Sequence, residues 1–131
     1  MTALVLDTGA LVALERNDRE AWAKLLVALS DNTVVQVPAG VVAQAWRDRT
    51  RQARLAQALK HCDEVPLEGV AARASGMLCA ATGTSDVIDA SVAVAAATLA
   101  RHQPTTVLTS DIGDLRILLD ELGGTARVAP V

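Results

Sequence analysis

Short apolar runs of strand length recur along this chain, each separated from the next by one or two stretches of helical spacing, and few architectures accommodate that order. Ala3-Leu4-Val5-Leu6, Thr33-Val-Val-Gln-Val37, Thr105-Thr-Val-Leu-Thr109 and Ala126-Arg-Val-Ala129 have the length and composition of strands. Glu64-Val-Pro-Leu67 is a weaker candidate, which Pro66 confines to a sheet edge or a strand end. Trp22, Leu25, Leu26 and Leu29 repeat at helical spacing over about residues 18–30, and Asn32 breaks the pattern. Pro38 can open a helix that carries Val41, Val42, Ala45 and Trp46 toward the core, with a second helical stretch to about His61. Glu68 to about Thr82 reads as an Ala-rich helix closed by Gly83. Thr84 or Ser85 is expected to cap the next, from about Asp86 to Arg101, and Asp111 to Leu122 is the last. This alternation predicts an α/β fold, with a largely parallel central sheet of four to five strands flanked by helices, in one domain over residues 1–131.

Composition narrows the function classes. Of 131 residues 51% are hydrophobic, enough for a full core without cross-links. Cys62 and Cys79 stand far apart and lack metal-ligand spacing, which points to free thiols in a reducing cytoplasm. The opening residues, halted at Asp7, do not have the pattern of a secretory signal, and the apolar run Ala90–Ala100 is too short to span a bilayer, so a soluble cytoplasmic protein without a membrane partner is expected. Twelve basic against fifteen acidic side chains give a net charge of −3, which excludes binding nucleic acid through overall charge. Arg47, Arg49, Arg51, Arg54 and Lys60 form the one basic stretch that can meet phosphates, or else a solvated face.

Parallel sheets place their sites at the carboxyl ends of strands. Asp7 ends the first strand, and Asp111 follows Thr105–Thr109 with Ser110 between. Either aspartate alone would read as a helix cap. Asp86 and Asp89, three apart, share a helix face, and Asp89 precedes a stretch almost without polar side chains, so it is expected near a buried region, where a carboxylate needs a partner or a metal. Several carboxylates without His or Cys suit Mg²⁺, a hard cation that takes oxygen ligands and keeps water. Such an ion can orient and polarise a phosphodiester and activate water, and the residues leave open whether one ion or two would bind.

Asp7-Thr8 after a strand, Asp89-Ala-Ser-Val-Ala-Val-Ala, and Leu108-Thr-Ser-Asp111-Ile-Gly-Asp114-Leu together resemble PIN-domain ribonucleases, VapC-type toxins in particular, over nearly the whole chain. The resemblance implies a Mg²⁺- or Mn²⁺-dependent endoribonuclease, usually a homodimer, that cuts RNA and is neutralised by a small cognate antitoxin. It also implies that Asp7, Asp89 and Asp111 bind metal and catalyse, with Asp86 and Asp114 as accessory acids. The family commonly carries a Glu in the helix after the second strand, where this chain offers Gln44, an acceptor without charge, with Asp48 four residues on as a substitute. His61 and His102 fall near helix C-termini, where the dipole favours a cation. Trp22 and Trp46 fit core spacing, and Thr8 and Ser110 can bond carboxylates or phosphate or simply make turns. Two other readings compete: a fold of this kind that binds RNA or a partner without cutting it, and a receiver-like phospho-accepting domain. The second needs a late Lys, and residues 100–131 contain none.

Overall fold

A computed structural model describes residues 2–131. Five parallel strands, β1 (Ala3–Leu6), β2 (Val34–Pro38), β3 (Asp63–Val65), β4 (Thr105–Thr109) and β5 (Arg127–Pro130), form one sheet in the order β3-β2-β1-β4-β5. The connections are α1 (Thr8–Glu15) and α2 (Arg19–Ser30), then α3 (Ala39–Ala45) and α4 (Ala53–Leu59), then α5 (Gly69–Thr82) and α6 (Val87–Ala100), and last α7 (Ile112–Leu122). Right-handed crossovers put α1–α4 on one face and the remaining helices on the other, because the chain steps outward from β1 to β3 and then returns past β1 to β4. The expected α/β class is thus present, at five strands.

The strand burial follows from this sandwich. All four residues of β1 are buried, as expected of a central parallel strand covered on both faces. Val5 and Val107 pair across β1 and β4, as do Leu6 and Leu108, and fully buried Leu11, Leu14, Val92 and Leu119 close over the two faces. Each such side chain contributes about 1.5–3 kcal/mol by leaving water. β3 is the short, exposed edge that Pro66 implied. Asn32 adopts a left-handed φ of 55° just after α2, and Gly83 ends α5 at φ 75°, where a side chain would strain the turn.

The stretch from Pro38 to His61 forms the two expected helices, and the side chain of buried Gln52 accepts the backbone N–H groups of Arg47 and Asp48 and donates to the Ala45 carbonyl, pinning the turn between them. One boundary differs from expectation. The cap of α6 is Asp86, whose carboxylate accepts the Asp89 N–H; Thr84 instead uses its hydroxyl to accept the Asp86 N–H at 3.1 Å. Among the described residues no single helix is long and apolar enough to cross a membrane.

Candidate functional site

The strand order reverses between β1 and β4, because the connections leaving these neighbours run to opposite sides of the sheet. The crevice beyond their carboxyl ends is where open α/β sheets bind ligands. Asp7 and Asp111 stand there, one after each strand, and the N-terminal turn of α6 brings Asp86 and Asp89 to the same place. All five sequence candidates feel one another's charge: Asp89 that of Asp86, Asp7 and Asp111, and Asp114 that of Asp111 and Asp86.

What gathers so many like charges is a set of helix starts. Asp7, Asp86 and Asp111 are the N-caps of α1, α6 and α7; their carboxylates accept the backbone N–H groups of Ala10, Asp89 and Asp114 at 2.9, 3.0 and 3.3 Å. Asp89 and Asp114 occupy the first turns that those caps close, so Asp86-Val-Ile-Asp89 and Asp111-Ile-Gly-Asp114 are two copies of one local device. Unsatisfied N–H groups and the positive ends of three helix dipoles offset part of the repulsion. The cap reading and the ligand reading are therefore compatible, as a cap spends one carboxylate oxygen and leaves the other.

Asp7 is held most tightly. It is buried, one oxygen accepts from Ala10 N–H, and the other accepts from the hydroxyl of Thr109. Thr109 is itself fully buried and its oxygen accepts the Asp111 N–H at 2.8 Å, so one hydroxyl ties the ends of β1 and β4 together. Sequence reading misses this residue. Thr109 looks like ordinary strand composition, and only the pairing of Leu6 with Leu108 shows that it lies beside Asp7. Gly9 keeps the two turns close: a Cβ there would fall 2.6 Å from the Ser110 Cβ and 3.2 Å from its backbone nitrogen.

Electrostatics mark the site as a demand for positive charge. Burial pushes Asp89 up to about 6, helped by the charges of Asp86, Asp7 and Asp111. Asp7 is also raised, by burial first, against the lowering effect of the Thr109 hydroxyl and the N–H groups of Ala10 and Gly9. Asp114 is raised through its hydrogen bond with Asp111 and the charge behind it. No Lys or Arg pairs with any of them; the ion pairs among the described residues are Arg51–Asp48 at 3.7 Å and Arg116–Asp120 at 3.2 Å.

Among the described residues no three acids, imidazoles or thiols are drawn together as a preformed metal cage. The donor set still suits Mg²⁺, which binds through one or two carboxylates, retained waters and substrate phosphate, where a full protein cage would suit Ca²⁺ or Zn²⁺ better. A small hollow of about 140 Å³, lined by Asp89, Asp114, Thr82, Thr84, Ile117 and Leu118, adjoins the acids.

The other singled-out residues lie in quieter settings. Gln44 accepts a hydrogen bond from the hydroxyl of Thr8, the residue after Asp7, whereas Asp48 turns elsewhere: its carboxylate accepts the Thr50 hydroxyl and N–H, which hold it below the usual range, and it faces Arg51. Asp48 therefore does not replace a missing site acid. Trp22 is half-buried and donates to the Leu14 carbonyl at 2.9 Å; Trp46 is half-buried against the core, and His61 and His102 are exposed just past α4 and α6. Cys62 and Cys79 are free thiols, Cys62 pushed up to about 12 by burial and by Asp63 and Glu64.

No family model matches the sequence, and no curated protein does. The fold has solved counterparts. VapBC2 from Rickettsia felis, in a crystal structure bound to a DNA fragment from its promoter, includes a chain similar to this one at a TM-score of 0.68 and 14% identity, over 98% of each chain. FitAcB from Neisseria gonorrhoeae is similar at a TM-score of 0.55 and 17% identity, over 95% of each. At such identities the likeness is one of fold, and it is the PIN-like fold that the sequence motifs implied.

Proposed function

We propose that this chain is a metal-dependent endoribonuclease and the toxin of a toxin–antitoxin pair. Convergence of five aspartates at the β1/β4 switch point, with no Lys or Arg paired to them among the described residues, carries the reading. The sequence motifs support RNA as substrate and Mg²⁺ or Mn²⁺ as cofactor, and the fold shared with VapBC2 and FitAcB chains agrees with a small cognate antitoxin as partner. A homodimer in the cytoplasm completes the proposal.

Asp7, Asp89 and Asp111 would hold the cation, with Asp86 and Asp114 beside it. When bound, Mg²⁺ supplies charge neutralisation at the phosphate and a more acidic water. Asp7, fixed by Thr109 and Ala10, gives that assembly a rigid floor. Asp89, pushed up to about 6 by burial and by three neighbouring carboxylates, would be driven back to its carboxylate form by the cation that it helps to hold. Asp86 and Asp111 each close the first turn of their own helix, α6 and α7, and so hold Asp89 and Asp114 in place.

An antitoxin segment has a surface to use. The connections over one face cover the β1–β3 side, and a groove of about 970 Å³ runs beside α2 over Leu4, Thr106, Leu108 and Ala129, flanked by exposed Val27.

The testing experiment is cleavage of total RNA by the purified chain, freed of co-purifying partner, with Mg²⁺, Mn²⁺ or EDTA, beside Asp7→Asn. Discrete metal-dependent cuts that vanish in the variant establish the nuclease. Absence of cuts by folded protein in every condition moves the assignment to a binding role, which the neutral Gln44 at the cluster favours as the second reading. The receiver-like alternative loses ground on topology, because this order is 3-2-1-4-5 and receivers use 2-1-3-4-5.

A further inference from the structure

A phosphodiester approaching the cluster brings negative charge to a place that already holds five carboxylates and, among the described residues, no paired Lys or Arg. A bound cation would answer part of that repulsion, and the remainder falls to neutral donors on the protein. α3 carries one. Its face passes along the site: a Cβ on Gly40 would lie 3.4 Å from Cγ1 of Ile88, the residue before Asp89, and one turn later Gln44 meets Thr8, the residue after Asp7. Spacing of four places both residues on that face.

The contact with Thr8 is specific in its chemistry. The Thr8 hydroxyl donates to Gln44 Oε1 at 2.5 Å, so the carbonyl end of the amide is engaged and its two N–H groups have no hydrogen-bond partner among the described residues. Gln44 is exposed, so nothing in the core uses those donors. An amide with its oxygen anchored to Thr8, the residue after Asp7, has its nitrogen free to donate. A carboxylate there would accept from Thr8 equally well but would offer a phosphate only repulsion.

We propose that Gln44 is a substrate-binding residue that donates an amide N–H to a phosphate oxygen of the RNA, positioned by the Thr8 hydroxyl. This rests on the nuclease reading above and assigns its substrate contact.

Gln44→Glu and Gln44→Ala, with the wild-type chain, decide it through three readouts: KM and kcat for RNA cleavage in Mg²⁺, binding of an uncleavable 2′-O-methyl RNA, and the thermal shift on titrating Mg²⁺ alone. Both variants should raise KM and weaken the uncleavable RNA roughly 10-fold, Glu more than Ala, since both remove a hydrogen bond to a charged group and Glu also adds a charge. Thermal stability without metal should stay near wild type, and the Ala variant should keep its Mg²⁺ response. The assignment is overturned if Gln44→Glu cuts at least as well as wild type at unchanged KM with a lower Mg²⁺ requirement, which would make position 44 a metal position. Unchanged RNA binding in Gln44→Ala overturns it as well. Failure of the wild type to cut or bind RNA would instead remove the nuclease reading itself, a separate result.

Discussion

The five aspartates around Asp7 and the five basic residues from Arg47 to Lys60 are both runs of like charge, yet the fold treats them in opposite ways. The acids come from three helix starts far apart in sequence and are fixed by caps and by buried Thr109. The basic residues all stay in solvent, and their contacts are local: Arg47 donates to the carbonyls of Ala43 and Trp46, and Arg51 lies 3.7 Å from Asp48. Only the turn beneath is built in, through buried Gln52. Asp7 and Asp89 are withdrawn from water while Asp86, Asp111 and Asp114 are exposed but oriented by the helix starts, and a charge so placed is available for chemistry, while one left free in water acts at a distance and through salt-screened fields.

The sharpest break between the two regions should come from single acid substitutions. Asp7→Asn and Asp89→Asn are each expected to lower RNA cleavage by roughly 10³-fold, the scale of several kcal/mol that a bound cation contributes to a transition state. Asp89→Asn should do so while the metal-free protein melts at a higher temperature than wild type at pH 8, because it removes a charge that burial and three neighbours oppose. A variant that melts lower and still cuts would end the case for the site. Thr109→Val comes next. It leaves one oxygen of buried Asp7 and the N–H of Asp111 without their partner, at a cost of about 1–3 kcal/mol of stability, read by urea unfolding, with cleavage reduced about 10²-fold.

How much of this contrast the sequence shows depends on range. The order of strands and helices is legible because each element carries its own period, and Asp7 and Asp111 are legible because the one directly follows a strand and the other comes one residue after a strand. The cap of α6 is not: Thr84, Ser85 and Asp86 have equal chemistry for the role, and only the structure shows the Thr84 hydroxyl spent on a turn. Thr109 depends on strand register, and Gln52 on a turn whose three bonds close on backbone groups up to seven residues away. The basic run is plain in sequence, but its exposure is not, so acids and bases look equally eligible there.

Neutralising the basic side gives a smaller effect of a different kind. Arg49→Gln, Arg51→Gln and Arg54→Gln together should leave kcat unchanged, raise KM by about 10-fold, and reduce the slope of log affinity against log salt by roughly 1 for each phosphate that these arginines neutralise in the wild type. Titration of uncleavable RNA binding with KCl reads this directly. A slope identical to wild type would show that the run is only a solvated face, and a fall in kcat would show that it reaches the reacting phosphate.

The smallest effect separates the regions by the sign of their response to pH. Asp89 is raised from 3.8 to about 6, so its stabilising contribution is complete below the unfolded value and is lost as pH rises through about 6; Asp7 and Asp114 are raised in the same direction. Asp48, among the arginines, is lowered, so its contribution is present above 3.8 and lost as pH falls below it. Melting temperature in EDTA should therefore decline by a few degrees between about pH 4.5 and pH 7.5, an interval in which Asp48 stays ionised and contributes no slope. Asp89→Asn should flatten much of the decline, and Asp48→Asn should leave it unchanged. Mg²⁺ binds the carboxylate form, so it should restore the melting temperature at pH 7.5 and do little at pH 4.5. A flat profile in EDTA that Mg²⁺ does not move would mean that the aspartates are satisfied as caps alone, and the two charged regions would then differ in burial but not in function.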